Sequence, residues 1–118
     1  VTYRLKLGVE AEADIDDILE WSFSHFGESV SDGYRALVLA TLAHIARDPE
    51  LPGSHERNDL GQGMRTVHLR TCRNEVSPAE RRIASPRHFM IYRKIGGVVQ
   101  VVRLLHEAMD ISAQHIPK

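Results

Sequence analysis

Nine residues in the second half of the chain could do chemistry together: Arg65, His68, Arg70, Arg73, His88, Tyr92, Arg93, Arg103 and His106. As an active site, such a set suits a metal-independent ribonuclease. A histidine would serve as general base or acid, and the arginines would stabilise charge at phosphorus. As a binding surface, the same guanidinium groups suit carboxylates or phosphates. His106 could equally be a strand-end residue satisfied by the backbone. Residue types alone leave these readings open.

Other chemistries have less to stand on. Seven histidines are many for 118 residues, yet none lies in the close His/Cys spacing of a zinc site, so no metal and no cofactor are expected. Gly61-Gln-Gly63 is too short for a phosphate loop and follows no strand-like run. The sequence G-x-S-x-G does not occur, and Cys72 has no neighbours that mark it as a nucleophile.

The elements that must hold these residues follow from periodicity. Thr2 to Leu7 alternates as a half-buried strand, and Gly8 ends it. From Val9 to Phe26 the period becomes helical. Ala11, Ile15, Ile18, Leu19, Ser22 and Phe26 share one stripe, flanked by Trp21 and Phe23. Ser29-Val-Ser-Asp32 resembles a capping box for a second helix, which Asp48-Pro49 ends. That helix is apolar on two sides. Val30, Tyr34, Leu37, Val38, Thr41, Leu42 and Ile45 form one. Ala36, Leu39, Ala40, Ala43 and Ala46 form the other, which needs the first helix or a partner to cover it.

Glu50 to Gly63 reads as a loop and Met64 to Arg70 as a strand. Thr71 to Arg87 reads as an arginine-bearing excursion, with a possible helical turn at Ser77–Arg82. His88–Lys94 and Val98–Leu105 read as a hairpin joined by Ile95-Gly96-Gly97. The expectation is one α+β domain over residues 1–118, in the order β-α-α-β-β-β. A helical hairpin packs on one face of a mainly antiparallel sheet, and the opposite face is free.

Composition narrows the setting. An apolar content of 42% with 26% charged residues is ordinary for a globular protein. One cysteine excludes an intrachain disulfide and fits a reducing cytosol. No signal-peptide layout is present. The longest apolar run, residues 36–46, falls short of the ~20 residues of a membrane helix. The net charge of −1 hides a split. Residues 1–60 hold five Lys and Arg against twelve Asp and Glu, and residues 61–118 hold ten against four. Twelve of the fifteen cations are arginine, which favours planar, bidentate partners.

Several segments, in order, resemble a known family. Ala13-Asp-Ile-Asp-Asp-Ile18 through Trp21 to Phe26-Gly27 is similar to a first-helix pattern A-x-x-D-L-x-x-I-x-x-Y…F/W-G, with Trp21 in place of tyrosine. Tyr34, Leu42–Ile45 and Asp48-Pro49 resemble its second helix. Gly63-Met-Arg65 resembles G-x-R, and Ile91-Tyr92-Arg93 resembles F-Y-R. Arg103-Leu-Leu-His106-Glu-Ala-Met109-Asp110 is close to R-V-L-H-x-x-M-D. These are motifs of the ParE toxins of type II toxin–antitoxin modules, within the ParE/RelE superfamily. The chain departs from the family's short members at Arg73 to Pro86, which lengthens one connection by about ten residues.

The resemblance implies a RelE-like fold and a cytoplasmic toxin in a hetero-oligomer with a ParD-like antitoxin. The antitoxin's ribbon-helix-helix half would bind DNA, so the toxin meets DNA only indirectly. It implies DNA gyrase as target, bound and poisoned without catalysis. On this reading Trp21, Ala36, Leu39, Ala40 and Ala43 receive the antitoxin, and Arg70, Arg73, Arg81, Arg82 and Arg103 face the target. The alternative is a ribosome-dependent mRNA endonuclease of the RelE branch, using Arg65, Arg93, Arg103 and His106. Against it, the only lysines are Lys6, Lys94 and Lys118, and no tyrosine follows Tyr92. A third reading is an inert scaffold within an autorepressing complex.

Overall fold

The computed structural model describes residues 2–117. Strand β1 (Arg4–Leu7) leads into helices α1 (Val9–Phe26) and α2 (Glu28–Arg47). Strands β2 (Ser54–Glu56), β3 (Met64–His68), β4 (His88–Ile95) and β5 (Val98–His106) follow. The sheet order is β1-β5-β4-β3-β2. β1 runs parallel to β5, and every other neighbouring pair is antiparallel.

The α+β architecture is the expected one, with one extra strand. β2 lies inside the stretch read as a loop. Its Ser-His-Glu sequence has no strand-like alternation, and only backbone pairing to β3 makes it an edge strand.

The helix boundary also differs. The capping box at Ser29 does not form, and no side chain caps α2. Gly27 alone connects the helices at φ 90°, a conformation that suits glycine, so α2 starts at Glu28 and Ser29 falls inside its first turn. Ser31 Oγ instead donates to the Leu19 carbonyl at 3.0 Å, tying the two helices together.

Leu37, Leu42 and Ile45 of α2 and Leu19 of α1 bury their apolar stripes against Val67, Met90, Tyr92, Val99, Val101 and Leu104 of the sheet. Tyr92 is fully buried, and its hydroxyl donates to the Pro49 carbonyl at 2.5 Å.

The opposite sheet face is covered, contrary to expectation. Met64, Ile91, Val102 and Leu105 form a second buried cluster beneath Leu60, Phe89, Ile111 and Ile116. The turn before β3 and the C-terminal tail close this face. A strand buried on both sides loses its alternation, so β4 and β5 carry apolar residues at successive positions.

A bulge sets the register of β5. Ile91 pairs with Arg103 and Tyr92 with Val101, which leaves Val102 as the extra residue. Val101 and Leu104 therefore enter the helix-side core, while Val102 and Leu105 enter the other.

The Arg73–Pro86 excursion is not a free flap. It begins in a 3-10 helix, Leu69–Glu75, whose Leu69 and Cys72 are fully buried. Val76 and Ile83 pack on the main core. At Ser77–Glu80 a single turn forms rather than a helix. The Arg81 carbonyl lies so close to Gly33 of α2 that any Cβ at that position would collide with it.

Candidate functional site

A cleft of about 720 Å³ opens where the helical hairpin meets the ends of β4 and β5. Ile18, Trp21 and Phe26 of α1 and Val30 of α2 form its apolar sides, with Ile83 of the excursion and Met109 beyond β5. The excursion is thus part of this wall. Trp21 is 55% exposed and Phe26 61%. They are nonetheless ordered by neighbours. The Trp21 ring stacks on His25 with centroids 4.2 Å apart and meets Phe26 edge-on at 5.6 Å. His25 Nδ1 lies 2.8 Å from the Trp21 carbonyl, where it can donate. Exposed aromatic groups held in one geometry lose little freedom when a partner covers them.

The polar floor is Tyr34, His88 and His106. Tyr34 Oη accepts the Arg87 N–H at 3.1 Å and donates to His88 Nδ1 at 2.6 Å. The rings of His88 and His106 meet edge-on at 5.0 Å. Burial, then the neighbouring His106 and His68, push His88 down to about 4. Burial raises Tyr34 to about 12. Both groups are neutral near pH 7.

The hydrogen bonds also fix tautomers. His106 Nδ1 accepts the Ala108 N–H at 3.0 Å, and His68 Nδ1 accepts the Arg70 N–H at 3.1 Å. His68 Nε2 then donates to Glu107 at 2.7 Å. In each of these rings Nδ1 is engaged by a backbone N–H, so that nitrogen is not free to act as a base. These hydrogen bonds hold the floor in one shape.

The four residues of the nuclease alternative go to separate partners. Arg65 donates to Ser54 Oγ at 2.7 Å, with its Nε buried and unpartnered. Arg93 donates to Gln100 at 3.3 Å. Arg103 grips Asp14 of α1 with two bonds, at 2.7 and 3.0 Å, and donates to the His115 carbonyl at 2.6 Å. Asp14 also accepts the Leu104 N–H at 3.0 Å. Only His106 reaches the cleft.

The arginines assigned to a target also divide. Arg70 and Arg73 line a smaller hollow of about 220 Å³ with Arg87 and Glu107. Arg73 donates to the Ala84 carbonyl at 2.8 Å, bracing the excursion. Arg81 and Arg82 are exposed upon it, and Arg82 reaches Asn74 at 3.3 Å. Arg103, bound to Asp14, stands apart with only 14% of its side chain exposed.

The residues assigned to an antitoxin separate as well. Trp21 lines the cleft, while Ala36, Leu39, Ala40 and Ala43 form the outer side of α2. The first helix does not cover that side. Leu39 is 57% exposed and Ala43 is exposed, while Ala46 is buried. The cleft residues Tyr34, Ile83 and His88 were beyond sequence reasoning as a group. Only the apolar Phe26 and Val30 on either side of Gly27 hinted that the hairpin turn has an apolar flank.

No helix among the described residues is long and apolar enough to cross a membrane. The family model for the ParE toxin of type II toxin–antitoxin systems (parDE) matches residues 5–111. Toxin ParE1 of Caulobacter vibrioides is 31% identical over 108 residues, covering 92% of this chain and 93% of that protein. Toxin ParE1 of Mycobacterium tuberculosis is 24% identical over 109 residues, with the same shares covered. A solved structure described as a chromosomal ParDE system from P. aeruginosa matches at a TM-score of 0.63 and 15% identity. It covers 89% of this chain and 96% of that one, and supports the fold. With the motif-bearing strands and the helical hairpin inside the matched span, the chain belongs to the ParE family of type II toxin–antitoxin toxins.

Proposed function

We propose that this toxin acts by binding and poisoning DNA gyrase, and that a ParD-like antitoxin neutralises it by filling the cleft beside Trp21. The antitoxin would bring a ribbon-helix-helix DNA-binding half, so contact with DNA is indirect. This chain would act in the cytoplasm, as a hetero-oligomer with the antitoxin. The observation that carries the antitoxin site is the pairing of exposed, pre-ordered Trp21 and Phe26 with a concave apolar wall. Such anchors beside a pocket are where binding energy concentrates. The fixed tautomers of the floor histidines favour inhibition by contact over RNA cleavage.

One reconstituted assay tests the whole reading. The purified chain should block gyrase supercoiling, and its antitoxin should relieve the block. Trp21→Glu should still block gyrase but escape relief, with antitoxin affinity reduced about a hundredfold, or ~2.7 kcal/mol. Intact gyrase activity together with cutting of ribosome-bound mRNA that His106→Ala abolishes would establish the nuclease alternative instead.

A further inference from the structure

Away from the cleft, three metal-ligating side chains converge where the excursion leaves the body of the protein. His44 comes from α2, and Cys72 and Glu75 come from the Leu69–Glu75 3-10 helix. A ring nitrogen, the thiol sulfur and a carboxylate oxygen all lie within 4.8 Å of one another. His44 is far in sequence from Cys72 and Glu75, and for that reason no His/Cys spacing rule detects the group. We propose that His44 Nδ1, Cys72 Sγ and Glu75 Oε2 form a binding site for a zinc-type divalent cation.

The donor set matches the ion. Zinc takes imidazole, thiolate and carboxylate at roughly 2.0–2.3 Å, which puts tetrahedral ligand pairs about 3.3–3.7 Å apart. His44 Nδ1 and Glu75 Oε2 stand 2.6 Å apart, within hydrogen-bond distance. Both side chains are partly exposed, at 27% and 34%, so they can part by less than an ångström. Cys72 sits behind them, fully buried and free. The ion would rest on the sulfur and keep one position toward solvent.

A supporting shell is also present. Arg47 donates to Glu75 Oε1 at 3.3 Å, the oxygen not used for the ion, and so orients the carboxylate. Metal binding displaces the Cys72 thiol proton, and any proton shared between His44 and Glu75, to solvent. The bound ion would clamp the root of the excursion to α2, and with it the segment bearing Arg73, Arg81 and Arg82.

Titration of the full chain with cobalt(II), followed by zinc competition, tests the site. The expected result is one equivalent of cobalt, a thiolate-to-cobalt charge-transfer band, and its loss as zinc displaces the cobalt. Cys72→Ser should abolish the band. His44→Gln and Glu75→Gln should each weaken binding at least tenfold, whereas His55→Gln should change nothing. If Cys72→Ser does not fold, the two rim variants still decide the matter. Absence of stoichiometric binding, cobalt bound without a thiolate band, or binding untouched by His44→Gln would each overturn the proposal.

Discussion

Among the described residues, the cleft and the outer side of α2 are both open apolar surfaces, and they are built differently. The cleft is concave. Its walls come from α1, α2, the excursion and the segment beyond β5, and its floor holds a short hydrogen-bond chain from the Arg87 N–H through Tyr34 to His88. The outer side of α2 is convex. Ala36, Leu39, Ala40 and Ala43 present it from one helix, with only Leu39 offering much surface. In the sequence only the outer side of α2 stood out as apolar residues in need of a cover, and Trp21 was the one cleft residue grouped with them. A concave surface assembled from distant elements has the shape a pre-organised receptor needs. A row of alanines is also what a helix shows when it simply favours helix-forming residues on its solvent side.

The largest test of this contrast concerns how the cleft is held. Asp14 fixes α1 to β5 through Arg103 and the Leu104 N–H. Both side chains are largely buried, at 14% and 16% exposure. Asp14→Ala would leave Arg103 without its counter-charge, holding only the His115 carbonyl, and the Leu104 N–H without its side-chain acceptor, which should cost about 3 kcal/mol of stability. Chemical denaturation measures this directly. Because α1 carries Trp21, antitoxin affinity should fall too, even where the variant remains folded. An effect below about 1 kcal/mol would mean that the pair is a surface contact and the cleft is braced elsewhere.

A second effect, smaller, separates the surfaces by pH. His88 titrates near 6.5 when unfolded and is pushed down to about 4 in the fold by burial and by His106 and His68, against the opposing Glu107 and Asp14. The unfolded chain therefore takes its proton first as pH falls. His88 contributes its full stability above about pH 6.5, and loses it progressively between 6.5 and 4. Allowing for the ring's contact with solvent, the loss should be on the order of 1–2 kcal/mol. His88→Gln should flatten that part of the stability profile. If the wild-type profile is already flat from pH 7 to 4, the floor is more hydrated than its geometry implies. The outer side of α2 has no comparable dependence built into Ala36, Leu39, Ala40 or Ala43.

What could be read in advance follows the range of the interaction. Both helices, β1, β3 and the β4–β5 hairpin follow from local periodicity, and Gly96 at φ 59° supplies the hairpin turn. The β5 bulge was not legible, because Val102 looks like any strand valine. That one extra residue sets the register of Arg103, and Asp14 reads in isolation as one of several acids on a solvated face. The cover over the second sheet face was equally hidden. Ile111 and Ile116 are too few to announce a buried tail. The cleft itself depends on Gly33 admitting the Arg81 carbonyl, a contact visible only once the chain is folded.

The smallest expected effect is the most discriminating. Ala43 is exposed at the C-terminal end of the outer stripe. Ala43→Glu adds a charge there and exchanges one good helix former for another, so stability should change by no more than about 0.5 kcal/mol. With the cleft as the antitoxin's seat, affinity should also move less than about threefold, against about a hundredfold for Trp21→Glu. Calorimetric titration of both variants with the same antitoxin makes the comparison. The reverse ranking, with Ala43→Glu folded normally but unable to bind, would transfer the docking surface to α2. Trp21 and Phe26 would then be left to the toxin's target. A loss in both variants, with folding intact, would indicate an antitoxin segment long enough to wrap from one surface to the other.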